Sequence, residues 1–263
     1  GLLSSAVDIN PRALMYTGFN SFLNEVDCSA TLADLYSQTG AETYDLITAN
    51  PPFVPSPDKE VLIHRSAGET GEEVPERLVA ALPQKLNRGG LFSMVLEHPV
   101  FQDDPYLDRL ERWLGETQGW AILVLTFKEY PAAKYVVRHL GGAEDQEAGY
   151  NSYLESYAAH GIVAMRFANV FIQRLSYNAK NFKLNLNTPW PNRDISDELD
   201  DWFKAISFYH NPDWEPEADW CPKPNSIFKN CWKNGPGTQG ILETDDRTWI
   251  EAAPLGLLET TLF

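Results

Sequence analysis

The sequence is short of cysteine, and the few cysteines present form no familiar pattern. Only three of the 263 residues are cysteines, at positions 28, 221 and 231. An odd number without Cys-x-x-Cys spacing supports neither a disulfide framework nor a zinc site. We therefore expect Cys28, Cys221 and Cys231 to be small buried hydrophobic residues. They favour a protein of the reducing cytoplasm that holds no metal.

Positive charge and long apolar segments are also scarce. Lys and Arg number 21 against 37 Asp and Glu, which gives a net charge of −16. This charge balance disfavours an extended surface that binds phosphate backbones. Nucleic acid is therefore a less favoured partner than a protein or a small molecule. No apolar run approaches the roughly 18 residues of a membrane span, and no basic start precedes an apolar core. We therefore expect no membrane segment and no secretory signal.

What the sequence does contain is an alternation of strand patterns and helix patterns. In residues 71–90, four apolar residues recur every fourth position, and Gly89 and Gly90 are expected to end that helix. The patterns predict strands at 5–10, 28–34, 44–50, 91–99, 120–127 and 162–175, and helices at 11–26, 71–90, 104–116, 150–161 and 194–206. Strands that alternate with helices predict an α/β fold with a doubly wound, mainly parallel sheet.

Polar residues end the first three predicted strands, at Asp8, Asp34 and Asn50. Ligands of doubly wound sheets bind outside the carboxyl ends of the strands, so these side chains predict a binding site at one edge. Asp8 could instead be a charge that stabilises the start of the next helix, and Asp34 could be a common turn residue. His64 and His98 are weaker candidates for substrate contact, because a lone histidine is more often a structural hydrogen-bonding residue.

The third strand stops at an unusual run, Asn50-Pro51-Pro52-Phe53. Proline has no N–H to donate to a ladder and restricts the residue before it, so the chain cannot continue here as a strand. One explanation is a turn that serves only to end the strand. The other is a rigid loop that presents Asn50 at the carboxyl edge of the sheet, where ligands of such sheets bind.

Three segments carry a resemblance to a known family: AVDINPRAL at 6–14, YDLITANPPFV at 44–54 and GGLFSMVLE at 89–97. In this order they resemble class I S-adenosylmethionine-dependent methyltransferases of the "methyltransferase small" type. The similar groups methylate amide or exocyclic nitrogens: the release-factor glutamine methyltransferases, the guanine and adenine RNA methyltransferases and the N6-adenine DNA methyltransferases. The resemblance covers roughly residues 5–175. It implies a Rossmann-like class I fold, a methyltransferase activity and S-adenosylmethionine as the cofactor.

The resemblance implies a cofactor-binding role for five residues. Asp8, with Ile9 beside it, corresponds to the acidic strand end that accepts hydrogen bonds from the ribose hydroxyls of the cofactor. A carboxylate suits two vicinal hydroxyls, as in dinucleotide-binding folds. Asp34 and Leu35 correspond to residues near the adenine amino group. Asn50 would face both the cofactor and the methyl acceptor.

Asn50, Pro51, Pro52 and Phe53 correspond to the catalytic motif of the family. An amide nitrogen is a poor nucleophile because its lone pair is delocalised. In the family, the Asn side-chain oxygen and the carbonyl of the first proline accept both N–H groups, which holds the lone pair towards the methyl carbon. Phe53 is expected to stack on the planar acceptor group.

One element of the family pattern is missing from this sequence. These enzymes carry a glycine-rich loop after their first strand, about twenty residues before the acidic strand end on dinucleotide-fold spacing. Only seven residues precede Asp8. We therefore expect a sheet that lacks its first, central strand and its glycine loop, and a biological protein that is longer at its N-terminus.

The composition changes after about residue 175. Residues 1–175 are expected to form the methyltransferase domain, and residues 176–263 an extension rich in Trp, Asn and Pro. The aromatic content of residues 207–263 argues against simple disorder, with tryptophans at positions 214, 220, 232 and 249. The extension either contributes to acceptor recognition or caps the last strands.

Three functions stay open on the sequence. The first is methyl transfer to an amide or exocyclic nitrogen, with a protein glutamine or a small molecule favoured over RNA as the acceptor. The second is a non-catalytic binding module that keeps the methyltransferase fold. The third is methyl transfer to an oxygen or carbon of a small metabolite. The sequence does not indicate which acceptor is used or whether the protein forms oligomers.

Overall fold

The structure is a computed structural model that describes residues 3–57, 67–115, 117–140, 145–176, 180–209, 226–231 and 239–244. Strand β1 (Ser4–Asp8), helix α1 (Pro11–Leu23) and strands β2 (Cys28–Leu32) and β3 (Tyr44–Ala49) come first. The other elements follow in chain order: α2 (Glu73–Ala80), α3 (Leu82–Lys85), β4 (Leu86–Phe101), α4 (Tyr106–Trp113), β5 (Trp120–Pro131), α5 (Ala132–Val137), α6 (Gln146–Ala159), β6 (Ile162–Arg174), β7 (Phe182–Asn187), α7 (Ser196–Tyr209), β8 (Ser226–Cys231) and β9 (Gln239–Thr244).

The main sheet has five strands in the order β3–β4–β6–β5–β7. β3 is parallel to β4 and β5 is parallel to β7, whereas β6 is antiparallel to both of its neighbours. Four strands therefore share one direction, and the predicted doubly wound, mainly parallel α/β fold is confirmed. The antiparallel direction of β6 was not part of the prediction.

The first two strands form a separate pair beside this sheet. β1 and β2 are parallel, with Asp8 opposite Leu32. Among the described strands, neither of them is hydrogen-bonded to β3. The side chain of Ser5 in β1 nevertheless lies near enough to Tyr44, the first residue of β3, to offset part of the rise in the Tyr44 pKa that burial causes. The expectation of a sheet that lacks its central strand stays a prediction.

Apolar side chains fill both faces of the main sheet. Helices α2, α3 and α4 cover one face, over a core that includes Phe92, Met94, Leu96, Leu110, Trp120, Ile122, Val124, Val170 and Ile172. Helix α7 covers part of the other face, with Phe203 packed against Leu123 and Leu125. Alternate residues of β5 point into the two cores, and burial on both faces explains its unbroken apolar sequence.

A third cluster lies under helices α5 and α6. It consists of Val54, Tyr135, Val136, Tyr157, Ile162 and Met165, and we refer to it as the α5–α6 cluster. Helix α5 was not predicted, because six residues are too few to show a helical period. The cluster joins the loop after β3 to the start of β6.

The helix predicted over residues 71–90 is wrong at its C-terminal half. Helix α2 ends at Ala80, the short α3 ends at Lys85, and strand β4 already begins at Leu86. Pro83 explains the break, because it has no N–H for the carbonyl four residues earlier and its ring crowds that carbonyl. Gly89 and Gly90 therefore lie in the first part of β4, where the register to β3 shifts.

Helix α1 is present as predicted but buries none of its residues within the described part of the protein. Asn10 begins it by accepting a hydrogen bond from the Arg12 backbone N–H at 3.0 Å, and Pro11 occupies its first turn. Phe22 and Leu23 are 80% and 59% exposed. Cys28, expected to be buried, is only half-buried at the start of β2.

The segment after residue 175 contributes to the main sheet. Strand β7 extends the sheet next to β5, and α7 packs on the face that β7 helps to build. Strands β8 and β9 form an antiparallel hairpin-like pair. Cys221, Trp214, Trp220, Trp232 and Trp249 lie outside the described residues, and the division of the chain at residue 175 stays a prediction.

Substitution of one leucine in α4 and one in α1 tests the difference in burial between these two helices. Leu110 in α4 is fully buried, whereas Leu23 in α1 is 59% exposed. We expect Leu110→Ala to lower the free energy of unfolding by about 2–5 kcal/mol, because it removes buried methyl groups and leaves a cavity. Leu23→Ala, the matched control, should change it by less than about 1 kcal/mol. Urea unfolding followed by circular dichroism measures both, and equal losses would contradict the described packing.

Candidate active site

The run Asn50-Pro51-Pro52-Phe53 lies directly after the last residue of β3, at the carboxyl edge of the sheet. Asn50 is exposed, and its side chain makes no hydrogen bond to any described residue. Pro51 is buried, and Phe53 is half-buried between the core of α2–α4 and the α5–α6 cluster. The loop therefore presents an amide to solvent while the residues that follow are fixed in the protein.

A turn formed by residues 67–73 holds the chain just after this run. The Ser56 N–H donates to the Gly68 carbonyl at 3.0 Å, and the Ala67 N–H donates to the Val54 carbonyl at 3.3 Å. Gly71 has a φ of 79°, and a Cβ there would come within 2.4 Å of the Phe53 carbonyl oxygen. Only glycine allows the turn to approach the motif this closely.

A buried ion pair holds the turn in place. Arg109 Nε in α4 donates to Glu72 Oε1 at 3.0 Å, and both side chains are almost fully enclosed. Arg109 also donates to the carbonyls of Pro99, at 2.7 Å, and of Asp104. Its guanidinium lies over the ring of Phe101. One side chain thereby connects the turn with the carboxyl end of β4.

Burial raises the pKa of Glu72 to about 7, and the attraction of Arg109 only partly offsets this effect. His98 is fully buried nearby, stacked on Tyr106 with ring centroids 3.7 Å apart. Burial lowers the pKa of His98 to about 3, so the ring is neutral, with Nδ1 donating to the Pro99 carbonyl. His98 therefore has no access to a substrate. His64, the other histidine considered, lies outside the described residues.

Asp8 and Ile9 lie at the carboxyl end of β1. Asp8 Oδ1 accepts a hydrogen bond from the Asn10 N–H at 2.7 Å, which leaves Oδ2 without a partner among the described residues. The carboxylate is half-buried, and Ile9 beside it is 51% exposed. The site thus has an available carboxylate oxygen next to an open apolar side chain.

Asp34 and Leu35 lie just beyond β2, next to the end of β1. The Ala33 N–H donates to the Asp8 carbonyl, which keeps the two strand ends together. Asp34 is exposed and pairs with Arg77 of α2 at 2.7 Å. Leu35 has a φ of 50°, a left-handed conformation that costs a non-glycine residue about 1–2 kcal/mol. Strained backbone of this kind is common where side chains are positioned for function.

The described residues place the predicted site residues in two groups. One group, at the ends of β1 and β2, contains Asp8, Ile9, Asp34 and Leu35. The other is the run that begins at Asn50, and the two groups share the core in which Leu35 and Phe53 are packed. Within the described part, no hydrogen bond joins Asp8 or Asp34 to Asn50.

Sequence analysis missed the residues that support the site: Glu72, Arg109 and Tyr157. Glu72 and Arg109 are single members of a large set of charged residues, and no local pattern indicates that they pair. Tyr157 belongs to a predicted helix, but the helix shows no marked apolar face that would indicate which tyrosine is buried. Their role follows only from the tertiary structure.

Two negative findings apply to the residues that the structure describes. No three His, Cys, Asp or Glu side chains there are grouped to hold a metal ion. Nor does that part of the chain contain a helix with the length and apolar content needed to cross a bilayer.

Comparison with known proteins adds homology to this geometry. Residues 3–121 match the model of the Methyltransferase small domain family. A protein named as an N5-glutamine methyltransferase in Methanocaldococcus jannaschii is 31% identical over 128 residues, covering 47% of this chain and 64% of that relative. Methyltransferase HEMK2 of Homo sapiens is 33% identical over 101 residues, covering 35% of this chain and 47% of that relative.

The structure of a methyltransferase from Pyrococcus furiosus is 15% identical, with a TM-score of 0.35, and the match covers 66% of this chain and 64% of that one. The chain spans between about half and two thirds of the length of the two sequence relatives. Residues 3–121, which contain both groups of predicted site residues, are therefore homologous to methyltransferase domains.

The buried carboxyl group of Glu72 predicts a pH effect on stability. Because its pKa is raised from 4.5 to about 7, the folded protein binds a proton between these values that the unfolded chain has already released. The free energy of unfolding should therefore fall as the pH rises from 4.5 to 7, by on the order of 2 kcal/mol. Glu72→Gln, which cannot ionise, should lose this part of the pH dependence.

Chemical denaturation at a series of pH values measures the effect. Glu73→Gln, which removes an exposed carboxylate next to Glu72, is the control and should keep the wild-type profile. A constant difference between wild type and Glu72→Gln from pH 4.5 to 8 would show that Glu72 does not titrate in this range.

Proposed function

We propose that this protein transfers a methyl group from S-adenosylmethionine to an amide or exocyclic nitrogen, with protein glutamine as the first acceptor class. The observation that carries the proposal is the Asn50 side chain, exposed and unbonded at the carboxyl end of β3, at the head of a loop whose next residues are fixed. A side chain already bonded within the protein could not accept N–H groups from an acceptor without a loss of free energy.

The ends of β1 and β2 fit the adenosine part of the proposed cofactor. Asp8 has an available carboxylate oxygen for a ribose hydroxyl, and Ile9 offers an open apolar surface beside it. Asp34 and Leu35 would lie against the adenine, with the Asp34 carboxylate accepting from the amino group. S-adenosylmethionine would supply an electrophilic methyl group on a positively charged sulfur.

The residues after β3 would orient the acceptor. Asn50 Oδ1 and the carbonyl of Pro51 would accept the two N–H groups of an amide, which turns the nitrogen lone pair out of conjugation. Both oxygens also stabilise the positive charge that develops on the nitrogen during transfer. Pro52 stiffens the chain, and the exposed part of Phe53 would stack on the acceptor plane. No general base is required before transfer, because the methylated nitrogen would lose one of its protons to solvent only afterwards.

Protein glutamine comes first among acceptors for two reasons. The Methanocaldococcus jannaschii relative is named for methylation of a protein glutamine. The net charge of −16 disfavours RNA, which repels an acidic surface. A small molecule with an amide or amino group is the second acceptor class. Mass spectrometry of the labelled product, locating the methyl group on nitrogen, oxygen or carbon, separates this proposal from transfer to an oxygen or carbon of a metabolite.

A non-catalytic binding module is the second candidate function, and the exposed apolar face of α1 favours it. Met15, Phe19, Phe22 and Leu23 are each more than half exposed in the described structure. Apolar surface of this extent is typical of sites that bind another macromolecule. Calorimetric titration with S-adenosylmethionine discriminates the two candidates, because a binding module need not take up the cofactor.

Asn50→Ala should abolish methyl transfer, with a loss of about a hundredfold or more, because both orientation and charge stabilisation depend on the amide oxygen. The affinity for S-adenosylmethionine should change by less than about threefold, since the adenosine contacts belong to β1 and β2. Transfer of a radioactive methyl group to protein acceptors and calorimetry measure the two quantities. Asn20→Ala, an exposed position in α1, is the control, and unchanged turnover in Asn50→Ala would refute the catalytic role.

Asp8→Asn should weaken S-adenosylmethionine binding by about tenfold or more, because a charged acceptor contributes about 1.5–3 kcal/mol to a hydrogen bond. Asp27→Asn makes the same charge change at the opposite end of the β1–β2 pair, just before β2. It should leave the affinity at the wild-type value. Equal losses in both variants, measured by calorimetry, would indicate a general charge effect and would remove Asp8 from the site.

A further inference from the structure

Helices α5 and α6 lie between β5 and β6, outside the residues 3–121 that match the family model. They nevertheless pack against the run that begins at Asn50. Val54 belongs to the α5–α6 cluster, and the half-buried Phe53 packs against that cluster. A pair of helices that the matched domain does not include thus forms one wall of the loop that carries the proposed catalytic amide.

The loop cannot anchor itself with its own backbone. Pro51, Pro52, Pro55 and Pro57 have no N–H, so four of the seven residues from 51 to 57 cannot donate a backbone hydrogen bond. Pro55 is buried, and a buried carbonyl needs a donor from elsewhere in the protein. The turn at residues 67–73 bonds to Val54 and Ser56 but makes no backbone hydrogen bond to the Pro55 carbonyl between them.

Tyr157 in α6 supplies that donor. Its hydroxyl donates to the Pro55 carbonyl at 3.3 Å, and the residue is 1% exposed. Burial raises the pKa of Tyr157 above its ordinary value, so the hydroxyl keeps its proton and can donate throughout the physiological range. One helical turn earlier, the Tyr153 hydroxyl lies 3.4 Å from the Ser56 hydroxyl.

The end of α6 makes a further contact with the same region. His160, the residue that caps α6, has Nδ1 bonded to the Ser156 carbonyl and Nε2 at 3.1 Å from a carboxylate oxygen of Glu69. Glu69 belongs to the turn that bonds to Val54 and Ser56. Helix α6 therefore contacts two segments. The buried Tyr157 hydroxyl bonds to the loop after β3, and His160 pairs with Glu69 of the turn at the protein surface.

We propose that Tyr157 is a positioning residue for methyl transfer: its hydroxyl fixes the Pro55 carbonyl, and through it the direction in which the chain from Asn50 to Phe53 faces the acceptor. The inference rests on the proposed function. Tyr157 itself does not touch the acceptor or the cofactor. It acts by limiting the motion of a loop that has few donors of its own.

The test compares Tyr157→Phe with Tyr153→Phe in the full chain. Tyr157→Phe keeps the buried ring and removes only the hydroxyl, so the α5–α6 cluster should stay packed. We expect kcat for methyl transfer to fall about tenfold, with KM for the acceptor and the affinity for S-adenosylmethionine each within about threefold of wild type. Tyr153→Phe, which removes a hydroxyl that contacts a side chain, should change kcat by less than about twofold.

Hydrogen exchange supplies a readout that does not depend on activity. Because the loop would be released locally, the Ser56 and Ala67 amides should exchange about tenfold faster in Tyr157→Phe, while amides in the centre of β4 keep their wild-type rate. A uniform increase over the loop and β4 would show a general loss of stability, and would overturn the positioning role. Wild-type kcat together with wild-type exchange in Tyr157→Phe would also overturn it.

Failure of the proposed function is distinguishable from failure of this inference. If the wild-type protein transfers no methyl group to any acceptor but Tyr157→Phe still speeds exchange at Ser56 and Ala67 and not in β4, the methyltransferase proposal fails while the loop-fixing role stands. If the wild type is active and Tyr157→Phe matches it in kcat and in exchange, the methyltransferase proposal stands and the role of Tyr157 is refuted.

Discussion

The two antiparallel ladders of β6 join β4 to β5, which are not hydrogen-bonded to each other. The side chains of β6 are shared between the cores, with Val170 and Ile172 facing α2–α4 and Phe171 facing α7. Because β6 pairs with β4 along its full length, its first residue, Ile162, lies opposite Phe101 at the carboxyl end of β4. The segment that precedes β6 must therefore pass over this edge of the sheet.

That constraint explains the position of α6. The helix ends at Ala159, three residues before β6 begins, so it has no room to lie elsewhere than over the carboxyl edge. Because β3 is parallel to β4, β3 ends at the same edge, and the loop that follows it begins there. The contact between Tyr157 and Pro55 follows from the direction of β6, and a parallel strand in this position would require a longer crossover that carries the helix away.

The proline-rich loop gains rigidity at the expense of hydrogen-bond donors. Its prolines restrict φ and remove N–H groups, so the surrounding structure must hold it. The turn at 67–73 does so from one side, and the Glu72–Arg109 pair in turn fixes that turn to β4 and α4. Helix α6 does so from the other side. Among the described residues, the exposed Asn50 amide thus lies unbonded at the head of a loop that the turn and helix α6 both hold.

Features with a local cause could be predicted from the sequence. The run after β3, the start of α1 at Asn10 and Pro11, and the strand ends at Asp8 and Asn50 depend on residues next to one another in the chain. Helix α6 and most strands were likewise found within a few residues of their true bounds. Local patterns were enough for the fold class, whereas the roles of the residues now proposed to form the site came from the resemblance to methyltransferases.

Features that depend on distant residues could not be predicted. Strand β7 has the sequence FKLNLN, in which polar and apolar residues alternate. Its polar residues do not indicate a strand by themselves, and its pairing with β5 is a tertiary feature. The direction of β6 depends on which strands it pairs with, and its sequence is compatible with either direction. The pairing of Glu72 with Arg109 joins positions 37 residues apart. The helix predicted through Pro83 failed because helical spacing was weighed more heavily than the proline.

The two groups of proposed site residues have unequal support, and this inequality matters for the cofactor. Asn50 follows a strand of the packed main sheet. Asp8 and Asp34 lie at the ends of the β1–β2 pair, whose side chains are more exposed. The Arg77–Asp34 ion pair joins the residue just beyond β2 to α2, and Lys85 donates to the Gly40 and Glu42 carbonyls in the segment between β2 and β3.

The Arg77–Asp34 pair would have to open or be shared if Asp34 accepts the adenine amino group. Both side chains are more than half exposed, and exposed pairs contribute only about 0–1 kcal/mol. Breaking the pair therefore costs little compared with the gain from an N–H donor bonded to a charged acceptor, which is about 1.5–3 kcal/mol. The ion pair is thus compatible with the adenine-binding role proposed for Asp34.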